Sequence, residues 1–253
     1  MQLKGKTALV SGAGRNNGKA IALTFAREGA DLVLVAREMG DALKEVAQEC
    51  ESHGVRVLTF MADMTKPDQV DNVVKQGLDQ FSKIDVAVSV LGMRAHSPIT
   101  DFSYEQWQQG FAVNCHSLFL LAKAVAPGMK EKGGGSIIAL GGQATIKAFA
   151  KSGMVVASKH ALLGLMKNLA IELGPYGIRV NLVNPGRIEN VRKNPEWYPD
   201  SGGAYNQAEI DRIPLRRVGT NQEIANAALF LASDQSSYVS GTSLFCTGAR
   251  HLT

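Results

Sequence analysis

The stretch SGAGRNNGKAIALTFAREGA, residues 11–30, decides the fold, because in it glycines join a short apolar run to a longer helical pattern. Gly12 and Gly14 precede a helix that is predicted to begin near Asn17 or Gly18. Glycine lets the backbone turn tightly and approach a pyrophosphate, whose charge the N–H groups at a helix N-terminus favour. The spacing of these glycines is a weak signal alone. Its place between the first strand and the first helix favours a dinucleotide site over a plain strand-to-helix turn.

Short apolar runs alternate with longer helical patterns along the rest of the chain. Most of the runs are β-branched and apolar on both faces, which is typical of parallel strands buried between helices. The predicted strands are 7–10, 32–35, 55–60, 86–90, 136–140, 178–183 and 243–245. The predicted helices are 18–28, 41–52, 67–81, 103–130, 154–173 and 221–232. This order predicts an α/β fold, a doubly wound parallel sheet of about seven strands.

The chain is predicted to be one domain, 1–253, because no linker rich in Pro, Gly or Ser divides it. One long polar tract, 187–219, interrupts the alternation, and it predicts a substrate lid at about 187–217. Polar insertions of that length in a compact domain usually act as lids or binding loops.

Composition excludes several classes of protein. With 45% hydrophobic and 20% charged residues, the chain is able to bury a large core, so disorder is not expected. The formal net charge of +4 is scattered, which argues against nucleic acid as a partner. Cys50, Cys115 and Cys246 are far apart, so we expect free thiols and no metal site. No apolar run approaches the roughly 20 residues of a membrane helix, and a soluble cytoplasmic protein is expected.

The end of the second strand indicates which dinucleotide binds. A site for NAD places an acidic residue near the adenosine ribose, but LVLVARE (32–38) has Ala36 and then Arg37. A small residue followed by a guanidinium suits a 2′-phosphate, with Arg15 as a candidate second contact. The pattern favours NADP(H) over NAD(H). The alternative is that both arginines are ordinary surface residues.

Taken together, the motifs resemble those of the short-chain dehydrogenase/reductase family over nearly the whole chain. SGAGRNNG is similar to its Thr-Gly-x-x-x-Gly-x-Gly loop, and further matches are MADMT (61–65), the glycine of DVAVSVLG (85–92), FAVNCHS (111–117), RVNLVNPGRI (179–188) and the C-terminal run 213–248. The resemblance implies a Rossmann-type fold, commonly a homotetramer, that binds a nicotinamide dinucleotide. The cofactor-binding residues it implies, together with the two arginines, are Gly12, Gly14, Arg15, Asn16, Asn17, Gly18, Arg37, Asp63, Met64, Gly92, Lys159, Pro185, Gly186 and Ile188.

The sequence departs from this family at its catalytic hydroxyls. The family usually has a serine after strand five and, thirteen residues on, the tyrosine of Tyr-x-x-x-Lys. This chain has Gly142 and Val155 at those places and keeps Asn114 and Lys159. The tyrosine exchanges a proton with the substrate, and the serine donates a hydrogen bond to the developing oxyanion. The resemblance therefore implies that cofactor binding survives while ordinary alcohol–ketone turnover lacks its usual acid.

Three functions are compatible with this pattern. The first is an NADP(H)-dependent oxidoreductase with a non-standard proton donor, which reduces a conjugated C=C or a carbonyl of a small or acyl substrate. Dienoyl-CoA reductases resemble the family yet lack its tyrosine, and enoyl reductases space their tyrosine so that it falls at Ser152 here. The second is a non-catalytic NADP(H)-binding sensor or partner in an oligomer. The third is a lyase, isomerase or hydratase, for which the sequence gives no positive indication.

Candidate donors lie in three segments. Ser152 and Lys151 are expected about one turn before Val155, His96 follows strand four, and Tyr198 and Tyr205 fall in the predicted lid. For each of them alone, a structural role is the competing interpretation.

The loops around the expected pocket are rich in basic residues, namely Arg94, Lys147, Lys151, Arg187, Arg192 and Lys193. They favour an anionic or CoA-linked substrate, and the alternative is a solvated basic rim. Trp197 and Tyr198 are predicted to anchor the lid or cover an apolar substrate. An apolar stripe in the helix after Lys159 serves either the core or a subunit interface, and it consists of Leu162, Leu165, Met166 and Leu169.

Overall fold

A computed structural model describes residues 1–38, 40–189 and 207–253. It contains a parallel seven-stranded sheet in the order β3-β2-β1-β4-β5-β6-β7. The strands are β1 Thr7–Ser11, β2 Asp31–Ala36, β3 Val57–Met61, β4 Val86–Ser89, β5 Gly135–Leu140, β6 Ile178–Pro185 and β7 Ser243–Cys246. The predicted α/β sheet is confirmed, and its central strands are buried on both faces, as their apolar sequences require.

Helices cover both faces of the sheet. They are α1 Asn16–Arg27, α2 Gly40–Glu51, α3 Pro67–Phe81, α4 Tyr104–Phe111, α5 Ser117–Lys132, α6 Gly153–Leu173, α7 Gln207–Asp211 and α8 Asn221–Ala232. On one face α1, α2 and α8 form a core around Phe25 and Ile224. On the other, α3, α5 and α6 form a second core around Leu121 and Met166. Two cores on one sheet define the doubly wound architecture.

Local sequence explains where several helices begin. The Thr220 hydroxyl accepts a hydrogen bond from the Glu223 backbone N–H at 3.2 Å, and the Glu223 carboxylate accepts one from the Thr220 N–H at 2.8 Å. This capping box starts α8. Proline at the first position starts α3, because its missing N–H is one that a helix leaves unbonded there.

Three differences from the sequence prediction concern the site. The helix predicted at 103–130 is interrupted at Ala112–His116, where a π-helical turn separates α4 from α5. Helix α6 begins at Gly153, so Lys151 lies outside it in a left-handed conformation with φ 57°. The predicted lid contains the short helix α7, and its residues 190–206 lie outside the described part of the chain.

Two stretches of the described chain are long and apolar enough, by length and composition, to cross a membrane. They are Tyr104–Lys132 and Gly153–Tyr176, so the prediction that no segment approaches this length was wrong by that measure. Both stretches contribute to the second core, through Leu121 of the first and Met166 of the second. Packing against a sheet accounts for apolar helices of this length.

The strand order places a crevice beside β1. Strand β1 pairs with β2 on one side and with β4 on the other. The chain therefore leaves β1 and β4 toward different sides of the sheet, and the loops at their carboxyl ends separate. In open α/β sheets, ligands bind at such a switch point.

Candidate nucleotide-binding and catalytic cleft

A cavity of about 1060 Å³ opens at the carboxyl ends of the strands. Its wall includes every residue that the sequence assigned to the cofactor, from Gly12 at the first loop to Ile188 after β6. Of the predicted catalytic residues, Lys159 lines the cavity, whereas Asn114, Lys151 and Ser152 lie outside its wall. The volume and the elongated set of loops fit a dinucleotide with room for a small substrate.

The glycine loop is held tightly against β2. The N–H groups of Gly12 and Ala13 donate to the carbonyl of Val35 at 2.8 and 3.0 Å. A Cβ on Gly18 would lie 1.9 Å from the Gly12 carbonyl oxygen, so that position accepts only glycine. Asn16 has φ 47°, a left-handed angle that asparagine tolerates, which explains why it replaces the middle glycine of the motif.

Asn17 gives the loop a polar group suited to a nucleotide. Its side-chain oxygen is buried and has no hydrogen-bond partner among the described residues. Buried acceptors are rarely left unbonded, and a ribose hydroxyl is a donor of suitable size for this site. The loop therefore fits the nucleotide both by its missing side chains and by its unpaired acceptor.

The end of the cavity near β2 holds Arg37. Its Nε and Nη2 donate to the Glu38 carboxylate at 3.1 and 2.8 Å, and both side chains are exposed. Asp63, after β3, accepts hydrogen bonds from the N–H and the hydroxyl of Thr65 at 2.9 and 2.7 Å. Burial acts to raise the pKa of Asp63, but these bonds and the charge of Arg37 hold it below its usual value.

Asn114 fixes the loop after β4. It is buried in the π-helical turn, where its side-chain oxygen accepts from the Met93 N–H at 2.7 Å. Its amide nitrogen donates to the Met93 carbonyl at 3.0 Å and to the Ser158 hydroxyl at 2.9 Å. Asn114 therefore joins the β4 loop to α6, which makes it a positioning residue in this structure. Interrupted helices of this kind are frequent at functional sites.

Lys159 is the buried charge of the cleft. Its side chain is 5% exposed, and Nζ donates to the carbonyl of Leu140, at the end of β5, at 2.7 Å. Burial, helped by the positive charge of Arg94, lowers the pKa of this lysine to about 7. Val155, one turn earlier on α6, is also buried and carries no group that titrates.

Gly142 adopts a conformation that side chains disfavour. Its φ is 127°, although the space around its missing Cβ is open. The Gly142 N–H donates to the Asn184 side-chain oxygen at 2.9 Å, and the Thr145 hydroxyl donates to the Gly142 carbonyl at 2.7 Å. The Asn184 amide nitrogen is buried without a partner among the described residues. Sequence reasoning missed Asn184 and Thr145; a second asparagine in the apolar strand NLVNP was the available signal.

The candidate donors differ in their surroundings. Ser152 is buried, and its hydroxyl lies 2.9 Å from Nδ1 of His96. Burial, together with the charges of Arg94 and Arg187, lowers the pKa of His96. Lys151 is exposed, and its carbonyl accepts from the Ser97 N–H at 2.9 Å. The β4 loop and the start of α6 are therefore joined at this point.

Several of the predicted basic and aromatic residues do not line the cavity or lie outside the described residues. Lys147 donates to the carbonyl of Arg250 at 3.5 Å and to an oxygen of Thr253. Arg187 forms an ion pair with Glu209 at 2.9 Å. The remaining lid candidates lie outside the described residues, namely Arg192, Lys193, Trp197, Tyr198 and Tyr205.

Comparisons with known proteins agree with this geometry. The family profile described as "Enoyl-(Acyl carrier protein) reductase" matches residues 12–249. The chain is 34% identical to 3-oxoacyl-(acyl-carrier-protein) reductase FabG of Thermotoga maritima, over 95% of this chain and 96% of that one. It is 33% identical to 7alpha-hydroxysteroid dehydrogenase of Escherichia coli, over 98% and 95% of the two chains. The chain belongs to the short-chain dehydrogenase/reductase family.

A solved structure similar to this chain contains a nicotinamide dinucleotide. Carveol dehydrogenase from Mycobacterium avium, in complex with NAD, matches with a TM-score of 0.90 and 29% identity over 100% of this chain and 99% of that one. These short-chain dehydrogenase/reductase relatives are named as dehydrogenases or reductases, and this chain is an oxidoreductase of their type. They give no support to the alternative of a non-catalytic sensor.

Proposed function

We propose that this protein is an NADP(H)-dependent oxidoreductase that reduces a carbonyl or a conjugated C=C of a small or acyl substrate. The observation that carries the proposal is that all the predicted nucleotide-binding residues, including Lys159, line one cavity. The matched family profile is described as an enoyl reductase, and a matched relative is named as a 3-oxoacyl reductase. Both a C=C and a carbonyl are therefore kept within the proposal.

Preference for NADP(H) rests on the end of the cavity near β2. Ala36 leaves room where an acid would meet the 2′-hydroxyl, and Arg37 lies next to that space in the cavity wall. A 2′-phosphate would take the place that the Glu38 carboxylate occupies on Arg37, with Arg15 on the opposite loop. Titration of the protein with NADPH and NADH, followed by nucleotide fluorescence, tests this preference; tighter binding of NADH would contradict it.

A nicotinamide nucleotide held by the residues of this cavity would supply the hydride. The side chains of the protein then have to bind the nucleotide, orient the substrate and deliver a proton. Lys159 is suited to hold that proton, because its pKa of about 7 lets it exchange protons near neutral pH. Val155 leaves the adjacent position without a hydroxyl, so we place the transfer from Lys159 to the substrate through solvent.

A second source of the proton is the pair of Ser152 and His96. The 2.9 Å contact between the serine hydroxyl and Nδ1 links a buried group to an exposed ring, which makes a path for a proton from solvent. Lys151, the neighbouring candidate, lies outside the cavity wall as Ser152 does, but its side chain is exposed and, in the described part of the chain, makes no hydrogen bond to His96 or Ser152, so we leave it out of this path.

Turnover of the variants distinguishes the two sources. Purified protein is assayed for NADPH oxidation with enones, enoyl thioesters and 3-oxoacyl thioesters, and the best substrate is kept. Loss of activity in a Lys159→Met variant that keeps its affinity for NADPH, with full activity in Ser152→Ala, supports the lysine. The opposite result moves the donor to Ser152 and His96. Unoxidised NADPH with all three substrate classes, despite tight nucleotide binding, would contradict the proposed reaction.

We also propose that the protein is a cytoplasmic homotetramer. Its binding partner is a small-molecule substrate, and neither nucleic acid nor a membrane is expected as a partner. In the predicted stripe of α6, Leu162 and Met166 are buried in the core of this chain. Exposed apolar side chains on the outer surfaces of α5 and α6 remain available for a subunit contact, among them Phe119 and Ile171 at 49% and 76% exposure. Light scattering tests the assembly, and a monomer would contradict it.

A further inference from the structure

Arg94 lies in the part of the cavity wall that follows β4. It follows β4 in the loop that Asn114 fixes, and it lines the cavity wall together with Gln109 and Val113. Its side chain is exposed to the cavity and solvent. The residues that we assign to the nucleotide phosphates come from the loop after β1, and Arg37 follows β2, so Arg94 lies on the other side of the switch point.

The backbone on both sides of Arg94 is held in place. Asn114 binds both the N–H and the carbonyl of Met93, at 2.7 and 3.0 Å. Three residues further on, the Ser97 N–H donates to the carbonyl of Lys151 at 2.9 Å, and His96 contacts Ser152. A loop fixed at both ends presents its guanidinium with little further loss of conformational freedom on binding.

Positive charge accumulates around this position. The charge of Arg94 acts on both Lys159 and His96, and that of Arg187 acts on His96. Two acids of the chain after β6 have partners of their own: Glu209 pairs with Arg187 at 2.9 Å, and the Glu189 carboxylate accepts from the Asn221 N–H at 3.1 Å. Arg94 makes no ion pair with any acidic residue in the described ranges, so its guanidinium retains its donors for a ligand.

We propose that Arg94 is the anchor of an anion subsite that binds a carboxylate or phosphate group of the substrate. The inference rests on the proposed function, because it places the substrate beside the nucleotide. It narrows the substrate class to compounds in which the reducible C=O or C=C carries an anionic group within reach of Arg94. A planar guanidinium binds both anions through paired N–H donors, so either headgroup is compatible with the site.

The test uses small probes and reads binding instead of turnover. The protein is first titrated with NADPH, and the loaded protein is then titrated with benzoate, phenyl phosphate and benzamide while the fluorescence of bound NADPH is followed. Benzamide matches benzoate in size but is neutral. The variant is Arg94→Gln, and the control is Lys123→Gln, which removes the same charge from an exposed position on α5.

We expect at least one anionic probe to bind about tenfold more tightly than benzamide, and Arg94→Gln to weaken that probe by about 10- to 100-fold. The variant should keep its affinity for NADPH and benzamide, and Lys123→Gln should behave as the unmodified protein does. The anion that binds more tightly identifies the headgroup. Equal binding of benzoate, phenyl phosphate and benzamide, or an equal loss in Lys123→Gln, would overturn the inference.

Failure of the proposed function is visible separately. If the unmodified protein binds neither NADPH nor NADH, the nucleotide proposal is wrong, and the probes are then titrated by calorimetry into the nucleotide-free protein. Retained preference for the anions, lost in Arg94→Gln, would still support the subsite. Loss of NADPH affinity in Arg94→Gln as large as the loss of benzoate would instead assign Arg94 to the nucleotide and overturn the subsite.

Discussion

The two halves of the cleft are built in different ways. The half near β1, β2 and β3 is shaped mainly by its backbone: a glycine loop bonded to Val35, a left-handed Asn16 and a glycine at 18 that admits no side chain. The half near β4, β5 and β6 depends on single side chains, above all the buried Lys159. Backbone geometry survives most substitutions, whereas proton chemistry is lost with one side chain. The two halves should therefore respond differently to substitution, the first through the shape of its loops and the second through its individual side chains.

The largest expected effect concerns Lys159, which the sequence assigns to the proton step and also to the nucleotide. Lys159→Met should lower turnover by at least about 100-fold, because it removes the group that exchanges the proton. For the unmodified protein, reduction should slow as the pH rises through about 7, where the ammonium form is lost. Steady-state rates between pH 5.5 and 8.5 check this, with exposed Lys167→Met on the same helix as control. A variant with normal rates would exclude Lys159 as the donor.

The same lysine makes a prediction about stability that needs no substrate. Folding lowers its pKa from 10.5 to about 7, so between these values the unfolded chain holds more protons than the folded one. The free energy of unfolding should therefore rise with pH across that window, and this part of the rise should disappear in Lys159→Met. Denaturant unfolding at pH 7 and pH 9 of both proteins measures it. Parallel curves for the two proteins would show that Lys159 titrates normally.

The nucleotide half is tested by Arg37→Ala. We expect NADPH to bind about 10- to 100-fold more weakly, since a charge-assisted bond to the 2′-phosphate is lost, while NADH binding stays the same. Glu38→Gln should act in the opposite direction, because it removes the carboxylate that competes for Arg37. Fluorescence titrations of each variant with both nucleotides give the comparison. Equal losses of affinity for NADPH and NADH in Arg37→Ala would show that the arginine does not bind the 2′-phosphate.

A pair of glycine substitutions shows how strongly backbone shape determines the nucleotide half. A Cβ on Gly18 would meet the Gly12 carbonyl oxygen at 1.9 Å, whereas one on Gly14 would meet only the Ala36 Cβ at 3.8 Å. Gly18→Ala should cost about 1–3 kcal/mol of stability, and Gly14→Ala much less. Thermal unfolding without nucleotide separates this cost from any effect on binding. Similar melting temperatures for the two variants would contradict the close approach.

The smallest effect concerns Gly142. Its surroundings are open, so Gly142→Ala tests only the backbone angle of 127°, and we expect a loss of about 1–2 kcal/mol. Gly164 lies exposed within α6 and is equally open, so Gly164→Ala should stabilise the protein by about 1 kcal/mol. Urea unfolding of both variants measures the two effects, and the same sign for both would refute the assignment.

Much of the fold was predictable because its signals are local. The sheet was predictable from the β-branched runs and from the glycines between strand and helix. The nucleotide-binding residues were predictable from the family motifs, and all of them line one cavity. The break in the helix at Ala112–His116 and the start of α6 after Lys151 were not predictable, since apolar periodicity continues through both places. The link between His96 and Ser152 joins residues 56 positions apart, and only the folded structure brings them together.

The backbone angle at Gly142 has a consequence for any side chain introduced there. A serine at position 142 would carry its hydroxyl on a backbone that hydrogen bonds with Asn184 and Thr145 hold at φ 127°, an angle that favours glycine. That hydroxyl would reach a relaxed position only if the loop itself moved, so a change in turnover in Gly142→Ser would report the flexibility of the loop together with the chemistry of the hydroxyl.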